Sequence, residues 1–358
     1  MKTHDARLVL IILAAVVAVL AGSCAPAPTA GAWSSISVVD GVLYAGSQTG
    51  RVFALDATSG GEIWQFPPAS EQTGLGVVSG APVQANDTVF AGASDGRLYA
   101  LDANTGSQRW NFVAGDRIFT GVAVDGDGMV YFASDDRNAY ALDAVTGRKK
   151  WEFATGNWIW GRPAVDQGKA YVSSFDHRLY ALDADSGEKQ WEFQAGAAIP
   201  GGSAPAGDLV YCGALDGRVY ALDTSTGQVR WDFQTGHWVW ARPLVVDDSV
   251  YVGSMDKKLY ALDGPSGTKR WDFDAQGMIR GSPTYAGGLL YVGTEQGTLY
   301  AVDAVNGQQR WAFQAGQGIL ASPVVWEGTV YITVLGDTVF ALDAQTGVQR
   351  WTVNPGKR

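Results

Sequence analysis

The sequence predicts an all-β protein, an eight-bladed β-propeller of four-stranded antiparallel blades, and two observations carry that prediction. A turn phrase of the form A-[LV]-D-x-x-[TSN]-G, followed by a tryptophan, recurs eight times, at Trp64, Trp110, Trp151, Trp191, Trp231, Trp271, Trp311 and Trp351. From Trp151 onward the step is 40 residues each time, after steps of 46 and 41, so the array is regular outside its first third. A fixed period of about 40 residues marks units that cannot bury an apolar face alone and must stack on their neighbours. The second observation is the pattern inside a unit, where short β-rich runs are broken by Gly and Asp every ten residues or so, as in antiparallel meanders. Four such runs per unit and eight units make a propeller.

In the fourth repeat the strands read as A beginning over Ile159–Val165, B over Ala170–Ser173, C over Arg178–Ala184 and D over Gln190–Phe193. The B-to-C links, Ser94-Asp95-Gly96-Arg97 and Leu215-Asp216-Gly217-Arg218, carry the Asp-Gly pair that suits a type I′ hairpin turn. Asp56, Asp102, Asp143, Asp183, Asp223, Asp263, Asp303 and Asp343 precede each tryptophan by eight residues, where a carboxylate accepts turn N–H groups. The glycine four residues before each tryptophan, Gly60 in the first unit and Gly347 in the last, supplies a positive φ. Each tryptophan then lands on strand D facing the next blade and docks the ring together. The aromatic columns Tyr44 to Tyr331 on strand B and Phe53 to Phe340 on strand C read as packing between blades.

The N-terminus carries Lys2 and Arg7 ahead of an apolar stretch from Leu8 to Ala21, then Leu20-Ala21-Gly22-Ser23-Cys24. That stretch is shorter than the roughly 20 residues of a spanning helix and suits a secretory signal. Residues 1–23 therefore read as a signal peptide, 24–32 as a Pro/Ala-rich tether and 33–354 as the propeller. Cys212 is the only other cysteine, which excludes a disulfide framework and makes it a small buried hydrophobe. Removing residues 1–23 takes away Lys2, Arg7 and Asp5 and leaves 24 basic against 35 acidic residues, a net charge of −11. Nucleic acid is excluded as a partner, because it requires a basic footprint.

Function is sought where the repeats disagree. Six tryptophans lie outside the docking set: Trp33, Trp158, Trp160, Trp238, Trp240 and Trp326. Four of them occupy twin segments, Gly156-Asn157-Trp158-Ile159-Trp160-Gly161-Arg162-Pro163 and Gly236-His237-Trp238-Val239-Trp240-Ala241-Arg242-Pro243, which lead from strand D into strand A. In the column of Trp160 and Trp240 the other units have Trp33, Ser79, Phe119, Pro200, Arg280 and Leu320; in that of Arg162 and Arg242 they have only Ser, Ala or Gly. The two segments enter blades four and six, roughly 90° apart in an eightfold ring. Trp158, Trp160, Arg162, Trp238, Trp240, Arg242 and Arg280 thus form a candidate ligand or partner rim. An indole and a guanidinium there suit either a planar anion or a protein loop. Space-filling between inner strands is the bland alternative. No catalytic or metal-binding set is recognisable.

By its turn phrase the chain resembles the pyrroloquinoline quinone-like (PQQ-like) propeller repeats, with Ala141-Leu142-Asp143-Ala144-Val145-Thr146-Gly147 through Trp151 matching the tryptophan-docking motif in full. The segment ending at Cys24 resembles a bacterial lipobox, which implies lipidation of Cys24 and an extracytoplasmic, membrane-anchored protein. Anchor, length and blade number together resemble the BamB-type lipoproteins of the outer-membrane assembly machinery. That likeness implies a non-catalytic scaffold that meets cell-envelope proteins through rim loops, with no cofactor expected. Two alternatives stay open: a quinoprotein dehydrogenase using PQQ and calcium, and an extracytoplasmic sensor of a small anion or glycan. The dehydrogenase likeness lacks adjacent cysteines, lid loops and a recognisable calcium or catalytic set.

Overall fold

The computed structural model describes residues 34–71 and 74–357. The signal peptide, the tether, Cys24 and Trp33 lie outside the described residues. Thirty-two strands form eight four-stranded sheets, each a meander in which A pairs with B, B with C and C with D. In blade four these are Ala164–Asp166, Lys169–Ser173, Arg178–Asp183 and Lys189–Gln194. Strand A is shorter than its apolar run predicts. Residues 159–163 instead run as an irregular connector, since Pro163 has no N–H for a ladder and Gly161 packs so closely on the next blade that an added methyl would lie 2.4 Å from the Gly202 nitrogen.

The position of the type I′ turns also differs from the sequence reading. The B-to-C links are three-residue loops: Ala93 N–H donates to Arg97 C=O and Gly96 N–H to Ala93 C=O, and only Gly96 has positive φ, +83°. Asp95 is not left-handed. This is a type I turn closed by a left-handed residue. The two-residue I′ geometry belongs to A-to-B links, with Asp40-Gly41 at φ +48° and +79° and Gln167-Gly168 at +46° and +72°.

Docking between blades takes one repeated form. Each strand-D indole donates through Nε1 to a backbone carbonyl in the next blade's C-to-D turn, as Trp151 does to Ala184 at 2.8 Å and Trp231 to Gly264 at 2.7 Å. In blades three and five to eight the strand-B tyrosine donates to that same carbonyl; Tyr291 and Trp311 each reach Ala344 C=O at 3.0 Å. The turn glycine has a role beyond its φ, because the neighbouring indole lies on its Cα. A methyl built on Gly187 would meet Trp151 Cδ2 at 2.7 Å. Strand-D phenylalanines then pack against the next blade's strand-C aromatics, Phe153 on Tyr180 at 5.2 Å between centroids and Phe233 on Tyr260 at 5.5 Å.

Every C–D pair carries a bulge just before the tryptophan, where Ala181 faces Trp191 but Leu182 faces Lys189. The extra residue bends the strand. In five blades it is an arginine that reaches back to its own turn aspartate, as Arg270 does to Asp263 at 2.7 Å. The turn aspartates accept the expected bonds; Asp343 Oδ1 takes Thr346 N–H and Oγ–H at 2.9 and 2.8 Å. Cys212 is wholly buried between blades, and burial pushes its thiol up to about 12.

The ring closes without sharing strands between its ends. Blade one holds its own four strands, and blade eight docks on it as any blade does, with Trp351 Nε1 and Tyr331 OH both donating to Ala57 C=O at 3.1 and 2.9 Å. Buried Asp337 adds a lock particular to this seam: it accepts Ser34 Oγ–H at 3.0 Å and Gln48 N–H at 2.9 Å.

Candidate functional site

One rim is built by the D-to-A connectors and B-to-C hairpins, which hydrogen-bond to each other. Asp176 in the blade-four hairpin accepts Gly156 N–H from the incoming connector at 2.7 Å and Tyr180 OH at 2.7 Å on the same oxygen. Asp256 does the same for Gly236 and Tyr260, both at 2.6 Å. The twin segments therefore fold alike. In each, a threonine hydroxyl closes the turn, Thr155 onto Asn157 C=O and Thr235 onto His237 C=O, both at 2.6 Å. The carbonyls of Trp158 and Trp238 accept the N–H of Phe175 and Met255. Ile159 and Val239 are fully buried as anchors. With that residue facing in, the flanking tryptophans are turned outward.

Trp158 and Trp238 are 46 % and 45 % exposed, high for indoles in a folded domain. Trp158 stacks on Trp160 with planes 2° apart and centroids 5.9 Å apart. Trp160 meets Phe175 edge-on at 4.7 Å and Trp240 at 6.3 Å. The structure thus brings the two segments together despite the blade between them. Arg280 caps this cluster with its guanidinium 4.8 Å above the Trp240 ring, while its Nε donates to Glu295 at 2.7 Å. Trp238 stands apart and takes His237 edge-on at 5.0 Å.

Beneath the aromatics runs the central channel. Its main cavity is about 550 Å³ and is lined by residues from all eight blades, including Phe119, Trp160, Arg162, Arg242 and several serines. A smaller cavity of about 180 Å³ is bordered by the same two arginines and by valines of the inner strands. Arg162 and Arg242 therefore stand where the two spaces meet. Crowding by the channel wall lowers both guanidinium pKa values, that of Arg242 to about 10 with the Arg162 charge adding to the effect, although the Arg162 side chain is exposed to solvent and Arg242 is half-buried. Both remain protonated at neutral pH. Among the described residues the lining offers no carboxylate or side-chain amide, so these supply none of the hard oxygen ligands that calcium requires from side chains.

Sequence columns missed three residues of this mouth. The first hairpin position runs Gln48, Ser94, Asp135, Phe175, Leu215, Met255, Glu295 and Leu335 through the eight blades. It is as irregular as the tryptophan column, and reading it the same way would have found Phe175, Glu295 and Asp135. Asp135 is 5 % exposed; it accepts Trp160 Nε1–H at 2.9 Å and pairs with Arg117 at 3.1 Å. Burial raises its pKa against both of these contacts.

Fold and mouth together define the class: an eight-bladed, tryptophan-docked propeller with an aromatic cluster over a basic channel. A family-level comparison is more specific. It matches Outer membrane protein assembly factor BamB over residues 21–120, 94–254, 195–282 and 255–357, and the chain belongs to that family. Among solved structures it is similar to BamB from Moraxella catarrhalis, with a TM-score of 0.71 at 22% identity, covering 84% of this chain and 91% of that one. A computationally designed protein, Ika8, gives a TM-score of 0.73 at 16% identity, over 88% and 94% of the two chains. The quinohemoprotein alcohol dehydrogenase ADHIIG from Pseudomonas putida HK5 gives 0.67 at 19% identity, over 87% and 71%. At these identities the structural likenesses speak for the fold alone. Curated protein sequences give no match.

Proposed function

We propose that this protein is a lipid-anchored scaffold of the bacterial envelope that docks an envelope protein partner on its connector rim and performs no catalysis itself. Exposed Trp158 and Trp238, held on a hydrogen-bonded rim whose repeat does not require bulk there, carry the reading. Tryptophan and arginine dominate the binding energy of protein interfaces, and here Arg280 is already seated on Trp240, so part of that surface is ordered before a partner arrives. Family membership supports a place in outer-membrane assembly, and the lipobox-like segment ending at Cys24 supports the anchor. The dehydrogenase reading has less behind it, since among the described residues the channel lining holds no carboxylate or side-chain amide to bind calcium.

A photo-crosslinking residue placed at Trp158 or Trp238 of the full chain in its own cells tests this, with Val145, 83 % exposed on the opposite rim, as control. Discrete cross-links to an envelope protein from 158 and 238 but not from 145 are expected. Equal yields from both rims refute the docking surface. Cys24→Ala moves the chain out of the membrane fraction if the anchor is as proposed.

A further inference from the structure

The arginines of this propeller are, as a rule, paired. Arg109, Arg230, Arg270, Arg310 and Arg350 each hold a turn aspartate, and Arg280 holds Glu295. Arg137 and Arg148, on the outer surface, also lack a side-chain partner, but Arg162 and Arg242 do so while lining the central channel: among the described residues neither has a side-chain hydrogen bond or an ion pair. They stand in a column that is otherwise Ser35, Ala81, Gly121, Gly202, Ser282 and Ser322, so neither is there to fill a space that the repeat leaves. Both border the same two cavities, and among the described residues no acidic side chain lines either one.

Two like charges facing one space disfavour each other, and a folded protein retains such a pair at a cost in stability unless something compensates it. Arg162 is open to solvent and Arg242 half-buried, so water screens part of that repulsion; the Arg242 pKa is lowered by desolvation and by the Arg162 charge. The stem of Arg162 runs close over Gly121, where an added methyl would sit 3.2 Å from its Cδ. Guanidinium forks match the paired oxygens of carboxylates and phosphates. Ser35, Ser282 and Ser322 add hydroxyls along the same wall, and the cavity, about 550 Å³, falls within the usual range for small-molecule sites of about 300–1,000 Å³.

We propose that the central channel binds a small doubly anionic molecule, a carboxylate or phosphate oxyanion, between Arg162 and Arg242. Charge balance sets the valence, because two unpaired cations call for two negative charges. Phe119 and Trp160 border the same cavity, so an attached planar group has an apolar wall to lie against. The site is independent of the docking rim above it and stands or falls separately from the scaffold reading.

The test uses the full chain with two probes, inorganic phosphate and pyridine-2,6-dicarboxylate, followed by calorimetry and by melting temperature. Saturable binding of at least one probe, one per chain and in the sub-millimolar range, is expected; which probe wins separates a phosphate ligand from a carboxylate. Arg162→Gln and Arg242→Gln each weaken it at least tenfold, and Arg97→Gln, on an exposed hairpin, does not. Without probe, Arg162→Gln melts at or above the parent temperature, because it removes an uncompensated charge. Three results overturn the proposal: neither probe binds, binding is unchanged in both channel variants, or Arg162→Gln alone lowers the melting temperature, which makes the arginine structural.

Discussion

Replacing Gly187 by Ala separates the two demands the repeat places on its turn glycine. At φ +75° any side chain is strained, and the new Cβ would lie 2.7 Å from Trp151 Cδ2 and 2.8 Å from its Cγ. The indole cannot retreat without losing its bond to Ala184 C=O and its contact with Tyr131. Gly168 is the control, with φ +72° and open space where its Cβ would go. Left-handed backbone costs about 1–2 kcal/mol for a residue with a Cβ, and this term, like the unfolded-state entropy change, is common to both variants. Overpacking adds about 1–3 kcal/mol at Gly187 only. With an unfolding entropy of about 2.1 cal/mol/K per residue, a ring of about 320 residues shifts by about 1.5 °C per kcal/mol. Gly168→Ala should therefore lower the melting temperature by about 1.5–3 °C and Gly187→Ala by about 3–8 °C, read by circular dichroism at fixed protein concentration. Equal shifts would mean that the glycine serves its φ alone and that the indole is not seated on it.

Trp231→Ala removes a ring that donates to Gly264 C=O, and a buried large-to-small change of this kind costs about 3–5 kcal/mol; a neutral denaturation curve would contradict docking through strand D. Trp160→Phe takes the Nε1 donor from buried Asp135 and should cost about 1–3 kcal/mol, and in an Asp135→Asn background much of that cost should vanish; an undiminished cost would show that the hydrogen bond is irrelevant. Acid stability follows the turn carboxylates, all eight of which are held below the ordinary range by turn and arginine hydrogen bonds, Asp102, Asp263 and Asp343 to about 2. A depressed folded pKa gives stability that is present above the unfolded value of about 3.9 and lost as pH falls through the folded one. The melting temperature should fall between about pH 4 and pH 2, and Asp263→Asn should flatten that fall; Asp135 and Asp337, raised by burial, act in the opposite sense. A flat profile over that window refutes the linkage.

What could be read from the chain is what the repeat makes redundant. Eight copies of one turn phrase fix blade number and strand order, and a column that changes in two copies exposes Trp160 with Trp240 and Arg162 with Arg242. That the tryptophans dock on the next blade was legible, but the carbonyls that receive them were not, since these bonds join residues 33 to 53 apart and no local pattern names the acceptor. The glycine column was explained by its φ while the indole on its Cα went unseen. The Asp-Gly pair was assigned the I′ turn because dipeptide chemistry does not count loop residues; the third loop residue decides between a type I and a type I′ hairpin.

The twin segments show why angular bookkeeping is a poor guide at a propeller's centre. Blades two apart are far from each other at the outer strands, but their connectors converge on a narrow mouth where an indole's own length spans the gap, and Trp160 touches Trp240 across it. Two residues further along each segment the same convergence brings Arg162 and Arg242 to one cavity, where the change from indole to guanidinium changes the outcome. Apolar rings that meet there bury one another and stabilise the mouth. Cations that meet there repel, and the pair has no purpose in packing. The same geometry, repeated by the same sequence twins, therefore closes the upper level on itself and leaves the lower level in need of an anion.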